Sequence, residues 1–244
     1  MGISQISTGI LSIQDAGTNC YLLEHAGALV FVDAGLPRTW RYTHEALRRI
    51  GRSWADVTDI VVTHAHFDHI GFAARAQREA GVTVWVHPGD HRIAAHPYRY
   101  RPGRPRLLYP LRHPKSLPVL GRMVRSGALR VPGVEEIADL TSGPLPAGLQ
   151  AIATPGHTDG HCVLHLPDLG VLFTGDALVT LDPYTGRTGP RIVAQAGTKD
   201  APRAMQSLDL IAATEANLVL TGHGPPFTQG AQAAAELARS HGVA

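Results

Sequence analysis

Short apolar runs, alternating or continuous and rich in Val, Ile and Leu, recur at 3–13, 20–24, 28–33, 60–63, 82–87, 149–154, 162–166, 171–174 and 218–221. Their length and branched side chains predict strands. Apolar positions at helical spacing predict helices over 39–50, 72–80, 201–213 and 231–240, with Asp200 placed to cap the third and Pro202 just behind it. The strands fall into two groups, each followed by helices, and segment 88–146 separates them. That order predicts an α/β (α+β) protein with two sheets packed face to face and helices outside, in a single domain over residues 1–244. The separating segment is proline-rich, so it is expected to be irregular apart from a helix near 117–125.

Composition narrows the function classes. The chain has 244 residues, 44% hydrophobic and 17% charged, and no apolar stretch near the roughly 18 residues of a membrane span. Residues 1–10 carry no basic leader, which predicts a cytoplasmic protein without a membrane span. Cys20 and Cys162 are expected to be small buried hydrophobes, because one bridge would add little to a domain of this size. A net charge of +2 does not point to nucleic acid or membrane, but ten of the 22 basic residues and no acidic ones lie between Arg92 and Arg130. Leu107, Leu108, Tyr109, Leu111, Leu117, Val119 and Leu120 interrupt those arginines. Such a mixture suits a cap over an apolar acyl group or a contact in a homodimer at least as well as a nucleic-acid surface.

Candidate chemistry centres on "VVTHAHFDHIG", residues 61–71. His64 and His66 follow a strand end, where a turning backbone can aim both imidazoles at one point, and Asp68 and His69 are expected to begin the next helix. Imidazole nitrogen and carboxylate oxygen are ligands for zinc and similar divalent ions, and four in so short a window begin two adjacent sites. A lone histidine would be an ordinary hydrogen-bonded residue; this crowding reverses that. Three further ligand candidates, His157, Asp176 and His223, each follow a strand and a glycine, in "ATPGHTDGH", "VLFTGDA" and "LVLTGHG". Glycine there permits a tight turn and a close backbone approach.

This pattern, H-x-H-x-D-H followed by distant His, Asp and His, resembles that of the metallo-β-lactamase superfamily. The resemblance extends to "FVDAG", where Asp33 stands at the family's aspartate behind the ligands, so the markers span residues 33–223. It implies a four-layer αββα sandwich in which His64, His66 and His157 hold one metal, Asp68, His69 and His223 the other, and Asp176 bridges. It also implies a hydroxide between two ions about 3.5 to 4 Å apart, attacking a carbonyl. Asp68 would orient that nucleophile and take its proton, making it the catalytic side chain. Zinc is the first expectation for the two divalent ions, with iron, manganese and cobalt compatible with the same donors. His161 in "GHTDGH" and His87 are expected to be supporting residues.

Branches of the family can be weighed on the residues. Asp176 argues against a true β-lactamase, which generally lacks the bridging aspartate. Glyoxalase II enzymes share the "TPGHTDGH" and "FTGD" strings but carry a helical glutathione-binding domain, and only 21 residues follow His223. Acyl homoserine lactone hydrolases often have a tyrosine where Val179 stands; Tyr184 could reach the same space, although a packed tyrosine is the simpler reading. The expectation is a hydrolase of ester, thioester or lactone carbonyls in a small-molecule acyl substrate, with segment 88–146 as lid or wall. A phosphodiesterase or nuclease, or a β-lactamase-like amide hydrolase, is the alternative.

Overall fold

A computed structural model describes residues 2–100, 102–105 and 109–244. Leu107 and Leu108, named above for an apolar cap, lie outside the described residues, and so does the side chain of Leu111. The chain divides into two compact units, Met1–Arg99 with Arg122–Gly148, and Tyr100–Gly121 with Leu149–Ala244.

The first unit is built on a seven-stranded sheet whose strands follow chain order. They are β1 (Gly2–Ser7), β2 (Ile10–Asp15), β3 (Thr18–His25), β4 (Ala28–Val32), β5 (Asp59–Val61), β6 (Thr83–Val86) and β7 (Ala138–Asp139). β1 to β4 pair antiparallel, and β4 to β7 pair parallel. The run at 3–13, expected as one strand, is a hairpin. Gly9 turns it with φ 77°, where a Cβ would lie 2.4 Å from the Glu24 carbonyl oxygen, so an apolar pattern that reads continuously is broken by one residue only glycine can supply. The unit's α-helices up to residue 99 are α1 (Trp40–Arg49), α2 (Ala73–Ala80) and α3 (His91–Ala95). Phe31, Trp40, Trp54 and Phe72 fill the core, with Trp54 stacked on Trp40 at 4.4 Å and on Phe31 at 5.0 Å between ring centroids. The separating segment is less irregular than expected: it adds β7 at the sheet edge and buries Val131 and Val134 in this core.

In the chain between the units' main parts, α4 (Tyr109–Arg112) and α5 (Leu117–Arg125) are helical, the latter at the expected place. The second unit carries β8 (Gln150–Ala153), β9 (Cys162–Leu166), β10 (Val171–Gly175), β11 (Val179–Leu181), β12 (Thr188–Arg191), α6 (Ala201–Ala212), β13 (Leu218–Thr221) and α7 (Gly230–His241). Four of the strands form a sheet in the order β13, β10, β9, β8, and β11 pairs with β12 apart from it. Leu208 and Ile211 of α6 and Ala234 and Ala235 of α7 pack with Val163, Leu172 and Val219 of the sheet. Asp200 caps α6 as its sequence indicates, its carboxylate accepting the Arg203 N–H at 3.0 Å. β12 gave no sequence signal because Gly189 and Pro190 occupy its middle. Among the described residues, no helix is long and apolar enough to cross a membrane.

Candidate metal centre

In the first unit, β5 ends at Val61 and the chain turns through residues 62–72 before α2 begins at Ala73. Asp68 and His69, expected to open a helix, therefore lie in the turn ahead of it. The reason is backbone pairing: the His69 N–H donates to the His66 carbonyl at 2.9 Å, while the His69 carbonyl accepts the Ala34 N–H at 2.6 Å. Gly71 donates to Gly35 at 2.8 Å instead of continuing a helical ladder, and a Cβ on Gly71 would sit 2.4 Å from that oxygen. The turn buries His64, His66, Asp68 and His69, with the His64 ring 4.9 Å from that of His66 and 4.2 Å from that of His69.

Asp33 organises this turn. It follows β4 in the left-handed region, φ 60°, and is buried. Its carboxylate accepts the Thr63 N–H at 2.8 Å, the Thr63 hydroxyl at 3.0 and 2.9 Å, and the His69 Nδ1–H at 2.9 Å. With its hydroxyl proton given to Asp33, Thr63 Oγ1 accepts from His64 Nδ1 at 3.2 Å. Both rings thus carry their proton on Nδ1 and present the Nε2 lone pair, the form that ligates a metal. Asp90, wholly buried, accepts the Ala65 N–H at 3.0 Å and pins the turn from a second direction. No sequence signal marked Asp90, because its partner lies 25 residues upstream.

In the second unit, the three remaining candidates follow the ends of β8, β10 and β13, and all three are buried. Thr198 Oγ1 donates to the Val193 carbonyl at 2.7 Å and so accepts from His157 Nδ1 at 3.2 Å, again leaving Nε2 with a bare lone pair. Thr198 is a supporting residue the sequence did not reveal. Asp176 Oδ2 lies 3.5 Å from His157 Nε2 and 3.2 Å from His223 Nε2, one carboxylate oxygen between two imidazoles. The Gly222 N–H donates to the Gly175 carbonyl at 2.8 Å, which ties the loops carrying His223 and Asp176 together.

His87 is half-buried and accepts the Gly89 N–H at 3.1 Å, a turn-capping role. Tyr184 packs with Tyr109, Ala194 and Ala196, its ring 6.4 Å from that of Tyr109, in keeping with a packed tyrosine. Among the described residues, the side chains grouped closely enough to hold a metal ion come from His64, His66, Asp68 and His69 in the first unit and His157, Asp176 and His223 in the second. These are the seven that the sequence singles out, and imidazole nitrogen with carboxylate oxygen is a donor set that divalent ions accept.

The family model described as "Metallo-beta-lactamase superfamily" matches residues 13–223. The chain belongs to the metallo-β-lactamase superfamily. This superfamily member is 29% identical over 218 residues to "Probable metallo-hydrolase YflN" of Bacillus subtilis, a match covering 82% of this chain and 77% of that one. Its fold is similar to that of the metallo-beta-lactamase family protein TTHA1429 from Thermus thermophilus, with a TM-score of 0.69 and 25% identity over 97% of this chain and 80% of the other. BJP-1, a subclass B3 metallo-beta-lactamase of Bradyrhizobium japonicum, has a TM-score of 0.67 at 18% identity, covering 99% and 92%. The α/β (α+β) class expected from the order of strands and helices is the metallo-β-lactamase fold of this superfamily member.

Proposed function

We propose that this superfamily member is a binuclear metal-dependent hydrolase of ester, thioester or lactone carbonyls. His64, His66 and His157 would hold one ion, Asp68, His69 and His223 the other, and Asp176 would bridge them. The observation that carries this reading is the Asp176 carboxylate oxygen between the Nε2 atoms of His157 and His223. A carboxylate between two imidazoles assigned to different ions is the arrangement a bridging ligand requires. Support comes also from Asp33, Thr63 and Thr198, which hold His64, His69 and His157 with Nε2 as the donor atom. We take residues 1–244 as one domain, a reading supported by the single family match over residues 13–223.

Bound ions would supply a nucleophile from water near neutral pH and polarise the carbonyl. The chain's own contribution is to fix the donors, to keep them buried, and to offer Asp68 as the group that orients the water and receives its proton. An Asp68→Asn variant loaded with two ions is expected to lose most of its turnover; full turnover would remove that role. Zinc is our first assignment, and metal analysis of the purified protein decides between it and iron or manganese.

The decisive experiment is a turnover panel on metal-analysed protein: acyl homoserine lactones, aryl esters, S-lactoylglutathione, nitrocefin and bis-p-nitrophenyl phosphate. Hydrolysis of one or more of the first three is expected, abolished by chelation and restored by zinc. Cleavage of the phosphodiester alone would sink the carbonyl reading, and cleavage of nitrocefin alone would replace it with amide hydrolysis.

A further inference from the structure

His161 belongs to neither set of donors, yet it is wholly buried just ahead of β9. Its Nε2 lies 3.1 Å from the backbone nitrogen of Asp176 and 3.1 Å from that of Ala177, and both N–H groups donate to it. A ring nitrogen that accepts two N–H bonds carries no proton, so the proton of neutral His161 resides on Nδ1. There it donates to Thr154 Oγ1 at 3.0 Å. The His161 carbonyl meanwhile accepts the Thr154 N–H at 2.8 Å, closing the base of the loop that carries His157. Both ring nitrogens are thus committed to the protein, which removes His161 from the ligand candidates. The opposite tautomer would aim an Nε2–H at two N–H donors, whereas the Thr154 hydroxyl can pair with Nδ1 in either form.

We propose that His161 is a positioning residue, locked as the Nδ1–H tautomer, that aims the Asp176 carboxylate by holding its backbone to the His157 loop. One side chain thereby joins two ligand-bearing loops, and the placement of Asp176 Oδ2 between His157 and His223 depends on it. Its importance for metal rests on the two-ion reading above; its tautomer does not. Removing the acceptor takes one hydrogen bond from each of two buried N–H groups, Ala177 keeping its other bond to the Thr174 carbonyl at 3.2 Å, and lets the Asp176 turn relax. The groups behind metal ligands typically govern affinity by roughly 10- to 100-fold, and here the loss falls on the ion pair that Asp176 bridges.

Two measurements test this. In apo protein with 15N-labelled histidine, long-range 1H–15N correlation at neutral pH is expected to give His161 a protonated Nδ1 and an unprotonated Nε2; the reverse pattern overturns the proposal. Zinc competition titrations on wild type, His161→Ala and His161→Gln provide the second. His161→Ala is expected to weaken the second zinc equivalent roughly 10- to 100-fold relative to the first, and His161→Gln, whose Oε1 can accept the same N–H groups, to recover most of it. A merely structural histidine would lower the unfolding temperature without changing the ratio of the two affinities, and that result overturns the proposal. If His161→Ala does not fold, the Gln variant and the tautomer still decide. Wild type that binds fewer than two zinc ions refutes the binuclear reading instead, and the tautomer measurement stands apart from it.

Discussion

At the scale of single residues, Asp33 shows how one carboxylate can set the chemistry of several neighbours. Its positive φ is a conformation that asparagine and aspartate adopt more readily than other side chains. Asp33→Asn therefore keeps the backbone and an oxygen for Thr63, but turns an NH2 toward His69 Nδ1. His69 must then accept at Nδ1 and carry its proton on Nε2, where it no longer ligates. The expected outcome is a roughly 10- to 100-fold loss of zinc affinity in a protein that still folds, read by competition titration beside thermal unfolding. Unchanged zinc binding would contradict the tautomer assigned to His69. The position of Asp33 behind the ligands was legible in "FVDAG". Asp90, Thr63 and Thr198 were not, because nothing local distinguishes an Asp or Thr whose importance lies in the one backbone or ring atom it meets far along the chain.

Among the elements, α6 was legible down to its cap, since Asp200 and Pro202 are local signals for a helix start. Asp200→Ala is expected to cost about 1 kcal/mol, measured as a fall in unfolding temperature. Gly156 tells a different story. It has φ 137°, and a Cβ there would lie 2.2 Å from the backbone nitrogen of Ala204 in the first turn of α6. Gly156→Ala must strain the backbone and push α6 away, so it is expected to destabilise by more than the loss of the cap, on the order of 2–4 kcal/mol, and to loosen the His157 loop. Equal unfolding temperatures for the two variants would refute this. The sequence placed a glycine before His157 for a tight turn; that a helix N-terminus packs against it required the fold. Strand β7 escaped prediction because it is two residues long, too short for period-two alternation to register, and nothing in the sequence marked β11.

For the molecule as a whole, alkaline pH is the condition under which buried groups limit stability. Burial pushes the Cys20 thiol well above the usual cysteine range, with Asp33 and Asp15 adding to the shift, and burial likewise raises the Tyr21 hydroxyl. Both groups stay protonated in the native state after the unfolded chain has begun to release those protons. Their contribution to stability is complete below the unfolded thiol pKa, about 8.5, and is lost as pH rises above it. Stability is therefore expected to fall on the alkaline side by about 1.4 kcal/mol per pH unit for each titrating group, read as a falling unfolding temperature, and Cys20→Ala should flatten the onset. Cys20 and Cys162 are buried, so thiol reagents are expected to react only after denaturant is added; fast labelling of the native protein would contradict the burial.

The sequence by itself determined which side chains can meet a metal, since ligand type, strand end and preceding glycine are all local, and it determined most of the strands and helices for the same reason. It also carried the family, through the order and spacing of the donor residues along the chain. Only the tertiary structure decided that the His64, His69 and His157 rings carry their proton on Nδ1, which buried carboxylates and hydroxyls hold those rings, and that His161 serves the backbone. Those outcomes depend on hydrogen bonds between residues tens of positions apart, such as Asp33 with His69 and Thr198 with His157, and no periodicity or spacing along a chain encodes which distant partner a polar atom will find.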